Sequence, residues 1–282
     1  MKKLLTYSLL ISAVATMLFL ACSGGDSFVL RYSMPTGTTL SYHQTMDRSI
    51  KVTQNDSVTV DKKEHLRTEF TQLCVFEPKD SVYQISQKEW WYCPKEDSTQ
   101  GDTLLWEQTM LLTVKPNGKL VRLTPSTEEE KTAATYTKNM LEQGTPVFPS
   151  ERLSVGSKWT QSTRVEFPGD TLEASTTFRV VRIDLEGKFR CAVIEYNGNL
   201  ILPLEENLMD SLKRSGVDYV TSKGESWYAI DGGYPVKTIE KWIIKGDRKK
   251  VIKGEVVPYT IAVESDLKMI LKDVSSPAMA RR

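Results

Sequence analysis

TPVFPSERLSVGSKW, residues 145–159, is a proline-bounded crossing that ends in a Val-Gly-Ser turn and enters a new strand at Trp159. Pro146 and Pro149 bound its first part, because proline lacks a backbone N–H and fits neither a helix interior nor a central strand. The crossing divides the chain into two β-rich halves, 28–144 and 145–272. Linkers between independent domains are exposed and polar, whereas this one carries Val147, Phe148, Leu153, Val155 and Trp159. Burying each aliphatic or Phe side chain is worth about 1.5 to 3 kcal/mol, so the crossing is expected to dock against the halves it joins.

Upstream, 28–34 reads as a short strand closed by Pro35-Thr36-Gly37. Leu40, Tyr42, Met46, Ile50 and Val52 then fall on even positions, as do Val58, Val60, Leu66 and Phe70 beyond an Asn55-Asp56 turn. Pairing Val52 with Val58 brings the two sets onto one face, as a half-buried antiparallel pair requires. Gln44, Arg48, Lys62 and Glu64 interrupt that face, which is expected where strands run out past a core or, as the second reading, line a wet cavity. Further hairpins join 73–76 to 82–92, and 103–115 to 119–123 through Pro116-Asn117-Gly118, a strong hairpin signal. Ser126 with Glu128, Glu129 and Glu130 supplies an N-cap and acidic first turn for a helix to Gln143, stopped at Gly144.

Downstream, Trp159, Val165 and Phe167 face Leu172, Ala174, Phe178 and Val180 if 168–171 closes a hairpin. Glu186-Gly187 closes the next, and Leu208, Met209 and Leu212 have the spacing of a short helix over 205–215. Strands resume over 219–230, 236–244 and 256–271, leaving 273–282 as a tail. The expected fold is mainly β: antiparallel curved sheets in two meander halves packed together, each half with one helix.

Lys2 and Lys3 precede an apolar run over 4–20 that ends in Ala21-Cys22 and Ser23-Gly24-Gly25. This pattern predicts a signal peptide, 1–21. The small residue before Cys22 resembles a bacterial lipobox, which implies lipidation of Cys22 and a tether over 22–27. Three acyl chains exceed the two membrane signals that suffice for stable anchoring. Such a chain is tethered to a bacterial envelope membrane, the outer membrane being the expected one. The precursor has net charge +1, and loss of Lys2 and Lys3 brings it to −1. That balance implies no nucleic-acid partner.

The lipobox, LLTVKPNGKLVRL, VFPSERLSVGSKW and GESWYAIDGGYPVK together resemble an uncharacterised family of bacterial lipoproteins. The resemblance implies a fold and an address but no activity. More distantly, long curved strands with a crossing helix in an anchored protein are similar to carriers that hold acyl chains in a half-open barrel.

No catalytic, cofactor or metal signature emerges. His43 and His65 fall on long strands, on opposite faces in this reading, and neither has a Gly-x-Ser-x-Gly elbow or zinc spacing near it. The acidic loop 96–102 lacks the alternating order of an EF-hand, and Glu205-Glu206 and Glu128–Glu130 read as helix starts rather than a glycosidase pair. Trp90 and Trp91 must point to opposite faces of one strand, so one of them lies off the main core. Trp90, Trp91 and Trp106 are the candidate ligand-binding residues. Cys74, Cys93 and Cys191 form an odd set, expected as three thiols with no 74–93 bridge. The function expected is that of a non-enzymatic envelope lipoprotein binding a protein, apolar or glycan ligand. The alternatives are a lipid or lipoprotein carrier with an acyl-sized cavity, and a hydrolase with an unrecognised carboxylate site.

Overall fold

A computed structural model describes residues 27–93, 102–125, 131–167, 170–209, 212–252 and 254–277. Its strands are β1 (Thr38–Gln54), β2 (Ser57–Glu77), β3 (Val82–Cys93), β4 (Thr103–Val114), β5 (Leu120–Pro125), β6 (Lys158–Phe167), β7 (Asp170–Glu186), β8 (Phe189–Met209), β9 (Leu212–Ala229), β10 (Pro235–Ile252) and β11 (Glu255–Ser275). One helix, α1 (Lys131–Gly144), lies between β5 and β6. All eleven strands form one antiparallel sheet in the order β5-β4-β3-β2-β1-β11-β10-β9-β8-β7-β6. The mainly β, antiparallel reading holds. The runs on either side of the crossing are joined edge to edge, through the pairing of β1 with β11 from Thr39↔Ser275 to Thr53↔Thr260.

The sheet is not closed. Helix α1 touches β5 at one edge and β6, β7 and β8 toward the other, so it spans the opening between them. It ends at Gly144 as expected, while its expected start at Ser126 and Glu128–Glu130 lies outside the described residues. Met140 packs against Leu200, Leu202 and Val220 on the inner face of the sheet. β7 and β8 stop pairing at Ser175↔Asn199, and beyond that point Gln143 stands in for a strand. Its side-chain amide donates to the carbonyl of Ile201 at 2.8 Å and accepts from the Ile201 N–H at 2.7 Å.

The first hairpin keeps the expected parity but not the expected register. Asn55 and Asp56 both have positive φ, 50° and 59°, which gives the tight two-residue turn that matches strand twist. A bulge between Val52 and Thr53 then pairs Val52 with Val60 rather than Val58. The shift is two residues, so every side chain keeps its face while Tyr42 comes opposite Phe70 and Met46 opposite Leu66. Tyr42 and Phe70 stack with centroids 4.7 Å apart. Past Met46 and Leu66 the pattern turns exposed, and Arg48 and Lys62 both pair with Glu64. The interruption does mark strands running out past the core.

Two other expectations fail. Residues 205–215 are not a helix: Glu205↔Ser215, Glu206↔Arg214 and Met209↔Leu212 continue the β8–β9 ladder to its turn. Three apolar residues at helical spacing are a weak signal beside a ladder already propagating from Cys191↔Ala229. Residues 28–34 are not a strand either, and make only the isolated bridge Phe28↔Leu153. This N-terminal segment instead laces one end of the sheet. Tyr32 N–H donates to the carbonyl of Pro116 at 2.7 Å and Ser33 N–H to that of Gly232 at 3.2 Å. The crossing docks beneath it: Phe148 and Leu153 are buried with Phe28, Leu30, Phe178, Val180, Ile194 and Tyr228, and Trp159 stacks on Phe178 at 5.3 Å. Val155 is the exception. It is exposed in the turn before Gly156, where φ is +94°.

Candidate functional site

The inner face changes character along β3. Tyr83 and Ile85 are buried, and the next residues on that face are Gln87, Glu89 and Trp91. β4 answers in register, with Ile85↔Leu112, Gln87↔Met110, Glu89↔Gln108 and Trp91↔Trp106. The apolar wall thus gives way to a polar and aromatic one toward the sheet's open end. Trp91 and Trp106 stack with centroids 5.7 Å apart and an interplanar angle of 28°. Trp106 remains 41% exposed. Offset aromatic pairs of this kind add about 0.5 to 1.5 kcal/mol beyond area burial, so the platform holds its shape while leaving one ring face accessible.

The Glu89 carboxylate organises this wall. It accepts from the side-chain amide of Gln108 at 2.7 Å, from the Trp91 indole N–H at 3.2 Å, and from the amide of Gln87. Gln87 in turn accepts from Gln72 at 2.6 Å. Charge-assisted hydrogen bonds are roughly twice as strong as neutral ones, so the Trp91 ring is held by a fixed anion. Of the three candidate tryptophans, the structure brings Trp91 and Trp106 together. Trp90 faces the other way, between Glu69 and Glu107 in register. Glu89, Gln87, Gln108 and Gln72 were missed by reading motifs. The signal available was parity: Tyr83, Ile85, Gln87, Glu89 and Trp91 occupy alternate positions of one strand.

A second polar group lies on the same inner face across the sheet. Glu240 of β10 is half-buried, and its carboxylate accepts from Ser222 Oγ at 2.6 Å and from the Tyr196 hydroxyl. Ser226 and Thr238 share a hydrogen bond of 2.8 Å next to it. Burial pushes the Glu240 carboxyl up, and the Ser222 hydrogen bond offsets this only in part. Its folded value lies above its unfolded value, so the fold prefers the neutral acid. That contribution is complete below the ordinary glutamate value and is lost as pH rises through the folded value. Glu240→Gln is therefore expected to melt at a higher temperature than the parent at neutral pH, the gap closing in acid below the ordinary glutamate range. Thermal scans at the two pH values check this, and a variant less stable than the parent at neutral pH contradicts it.

Other candidates disperse. His43 and His65 lie on the same face rather than on opposite faces, since both are odd positions of an in-register pair: His43↔Glu69 and Asp47↔His65. His65 Nδ1 meets Asp47 Oδ1 at 2.6 Å on the exposed surface. Burial lowers the His43 pKa, with Lys272 acting in the same direction. No group of three or more His, Cys, Asp or Glu residues suited to a metal occurs among the described residues. Loop residues 96–101 and the side chains of Glu205 and Glu206 lie outside the described residues, as does Cys22. Asp102 pairs with Arg67 at 2.7 Å. Cys74 and Cys191 are buried, and burial pushes their thiols up to about 12 and about 11. Cys93 is exposed. Cys74 sits opposite Ile85, eight residues along β3 from Cys93. At about 3.3 Å per residue that separation far exceeds the reach of a disulfide.

No helix among the described residues is long and apolar enough to cross a membrane, which leaves strands out of account. No protein-family model matches the chain, and no curated protein matches it. Solved structures do. A Bacteroides fragilis protein assigned as exported, with a YmcC-like fold, is 11% identical at a TM-score of 0.28, covering 88% of this chain and 100% of its own. A Parabacteroides distasonis protein assigned as a lipoprotein is 12% identical at a TM-score of 0.31, covering 89% and 100%. OmpF of Salmonella typhi, in complex with daunomycin, is 8% identical at a TM-score of 0.27, covering 84% and 100%. At these scores the likeness is one of long antiparallel strands and assigns no family.

Proposed function

We propose that this chain is a lipid-anchored protein of a bacterial envelope membrane, the outer membrane in particular, that binds a glycan on its inner wall without transforming it. The address rests on the sequence before and at Cys22, where a basic start, an apolar run and Ala21-Cys22 succeed one another. The binding site rests on one observation, the stacked and partly exposed pair Trp91–Trp106 beside a fixed array of amides and a carboxylate. A sugar ring offers an apolar face to an aromatic platform and a rim of hydroxyls to such an array. An acyl chain on the same wall would strip water from Gln72, Gln87, Glu89 and Gln108, and a carboxylate held by amides and an indole rather than by a cation is costly to desolvate.

Two measurements test the two parts. Cys22→Ala is expected to leave the protein exported but soluble or uncleaved; if it fractionates with membranes as processed mature protein, the anchor reading is wrong. For the site, the natively purified parent is screened against envelope glycans by native mass spectrometry. Trp106→Ala is expected to weaken any glycan bound by at least about tenfold, the cost of losing one aromatic contact, with only the small fall in melting temperature that loss of the Trp91 stack brings. Stoichiometric acyl lipid released by solvent extraction would favour a carrier instead, and turnover of the bound glycan would make the protein an enzyme.

A further inference from the structure

Three acids of the inner wall are matched by a cation or by protonation. Arg48 and Lys62 both pair with Glu64, Arg248 holds Asp218, and burial favours the neutral acid at Glu240. Glu89 is different. Its partners Gln87, Trp91 and Gln108 are all neutral donors, and among the described residues no lysine or arginine pairs with it. Across the strands it lies between Phe70 and Gln108, and the rows on either side, Gln72–Gln87–Met110 and Thr68–Trp91–Trp106, hold no charge. Lys88 and Arg67 are near in the chain and in register but belong to the outer face, where Arg67 pairs with Asp102 and lies over the Tyr92 ring. The hydrogen bonds to Glu89 are also unevenly shared. Oε2 accepts from both Gln108 and Trp91, whereas Oε1 accepts from Gln87 alone. A carboxylate oxygen takes about two donors, so Oε1 has capacity for a further one. The partly exposed Trp106 ring stacks on Trp91, whose indole N–H reaches this same carboxylate.

We propose that this wall selects glycans carrying a free, protonated amine, a specificity that rests on the glycan reading above and adds a charge to it. The ammonium donates to Glu89 Oε1 while the apolar face of the sugar ring lies on Trp106. A half-buried anion held only by neutral groups gains more from a ligand cation than a solvated one does, because folding has already removed part of its water. The aromatic platform acts in the same direction, since the face of an indole ring attracts a cation. N-acetylation replaces the ammonium by a neutral amide N–H, a weaker donor to a carboxylate.

The mature chain beginning at Ser23, which carries no lipid, is titrated by calorimetry with chitosan oligomers, chains of glucosamine with free amines, at a pH that keeps those amines protonated. N-acetylglucosamine oligomers of the same length are the comparison. The free-amine oligomer is expected to bind at least about tenfold tighter, the order of one charge pair in a half-buried setting. Glu89→Gln is expected to erase that preference. Its amide keeps an acceptor for Gln108 and Trp91 while removing the charge, and a cooperative melting transition establishes that the variant folds. The preference of the parent needs no variant, so the comparison decides even where the substituted chain does not fold. Equal affinities of the parent for the two oligomers overturn the amine specificity and leave a glycan site standing. A preference that survives Glu89→Gln overturns it too, by placing the amine elsewhere, and so does binding of neither oligomer. Ethanolamine bound as tightly as the chitosan oligomer overturns both this proposal and the glycan reading, because the sugar ring would then contribute nothing.

Discussion

Phe178→Ala is expected to lower the stability of the mature chain by about 3 to 5 kcal/mol, the usual cost of truncating a fully buried aromatic. Phe178 has no exposed surface and is the largest fully buried side chain among the described residues. It stacks on Trp159 at 5.3 Å, meets Tyr196 at 6.2 Å, and belongs to the cluster that includes Phe28, Leu30, Phe148 and Leu153. Strand β7, the crossing and the N-terminal segment therefore share one packing unit. Because β1 and β11 make the sheet continuous, the loss is expected to shift a single cooperative transition, with Trp159→Ala shifting the same one by less. Two separated transitions in a denaturant melt, only one of them moved, would show that the segments before and after the crossing unfold independently.

Gly233→Ala is the second large effect, and it acts on the lacing rather than the core. Gly233 has φ +71°, which an L side chain adopts only at a cost, and a Cβ there would overlap the carbonyl oxygen of Arg31. The neighbour is backbone, so it cannot turn aside, and the segment at Arg31–Tyr32 must lift off the β9–β10 turn. Strain at φ together with overpacking is worth about 2 to 4 kcal/mol. Hydrogen exchange should show the Tyr32 and Ser33 amides losing protection before the β8–β9 ladder does. Equal protection in parent and variant would mean that the segment is held by Phe28 and Leu30 alone. Gly118 is the corresponding position on the other side, with φ +88° and a Cβ that would stand 2.7 Å from the carbonyl oxygen of Pro146.

The candidate wall was partly legible. Trp90 and Trp91 adjacent in a strand must split between faces, so the sequence alone indicated that one of them leaves the core. It could not tell that Trp91 is the one opposite Trp106, because that follows from the β3–β4 register and the shift between Trp91 and Tyr92. The role of Glu89 was hidden for the same reason. Its partners Gln87, Trp91 and Gln108 are two and nineteen residues away, and only strand pairing brings the last of them within hydrogen-bond distance.

What the sequence by itself determined is what depends on local chemistry. Alternation at 40–70 set the inner face of the first hairpin, Gly144 ended the helix, prolines 146 and 149 bounded the crossing, and Asn-Gly at 117–118 made a turn, because each of these acts through φ, ψ or the period of the strand. What only the tertiary structure decided is what depends on distant partners. The pairing of β1 with β11 makes one sheet of the two runs of strands. The β8–β9 ladder overrides helical spacing at 205–215. Gln143 completes a gap in the sheet, and residues 28–34 become a lacing segment. In each of these the local preference is worth a few tenths of a kcal/mol per residue. A cooperative ladder or a buried cluster supplies several, so the long-range term sets the outcome.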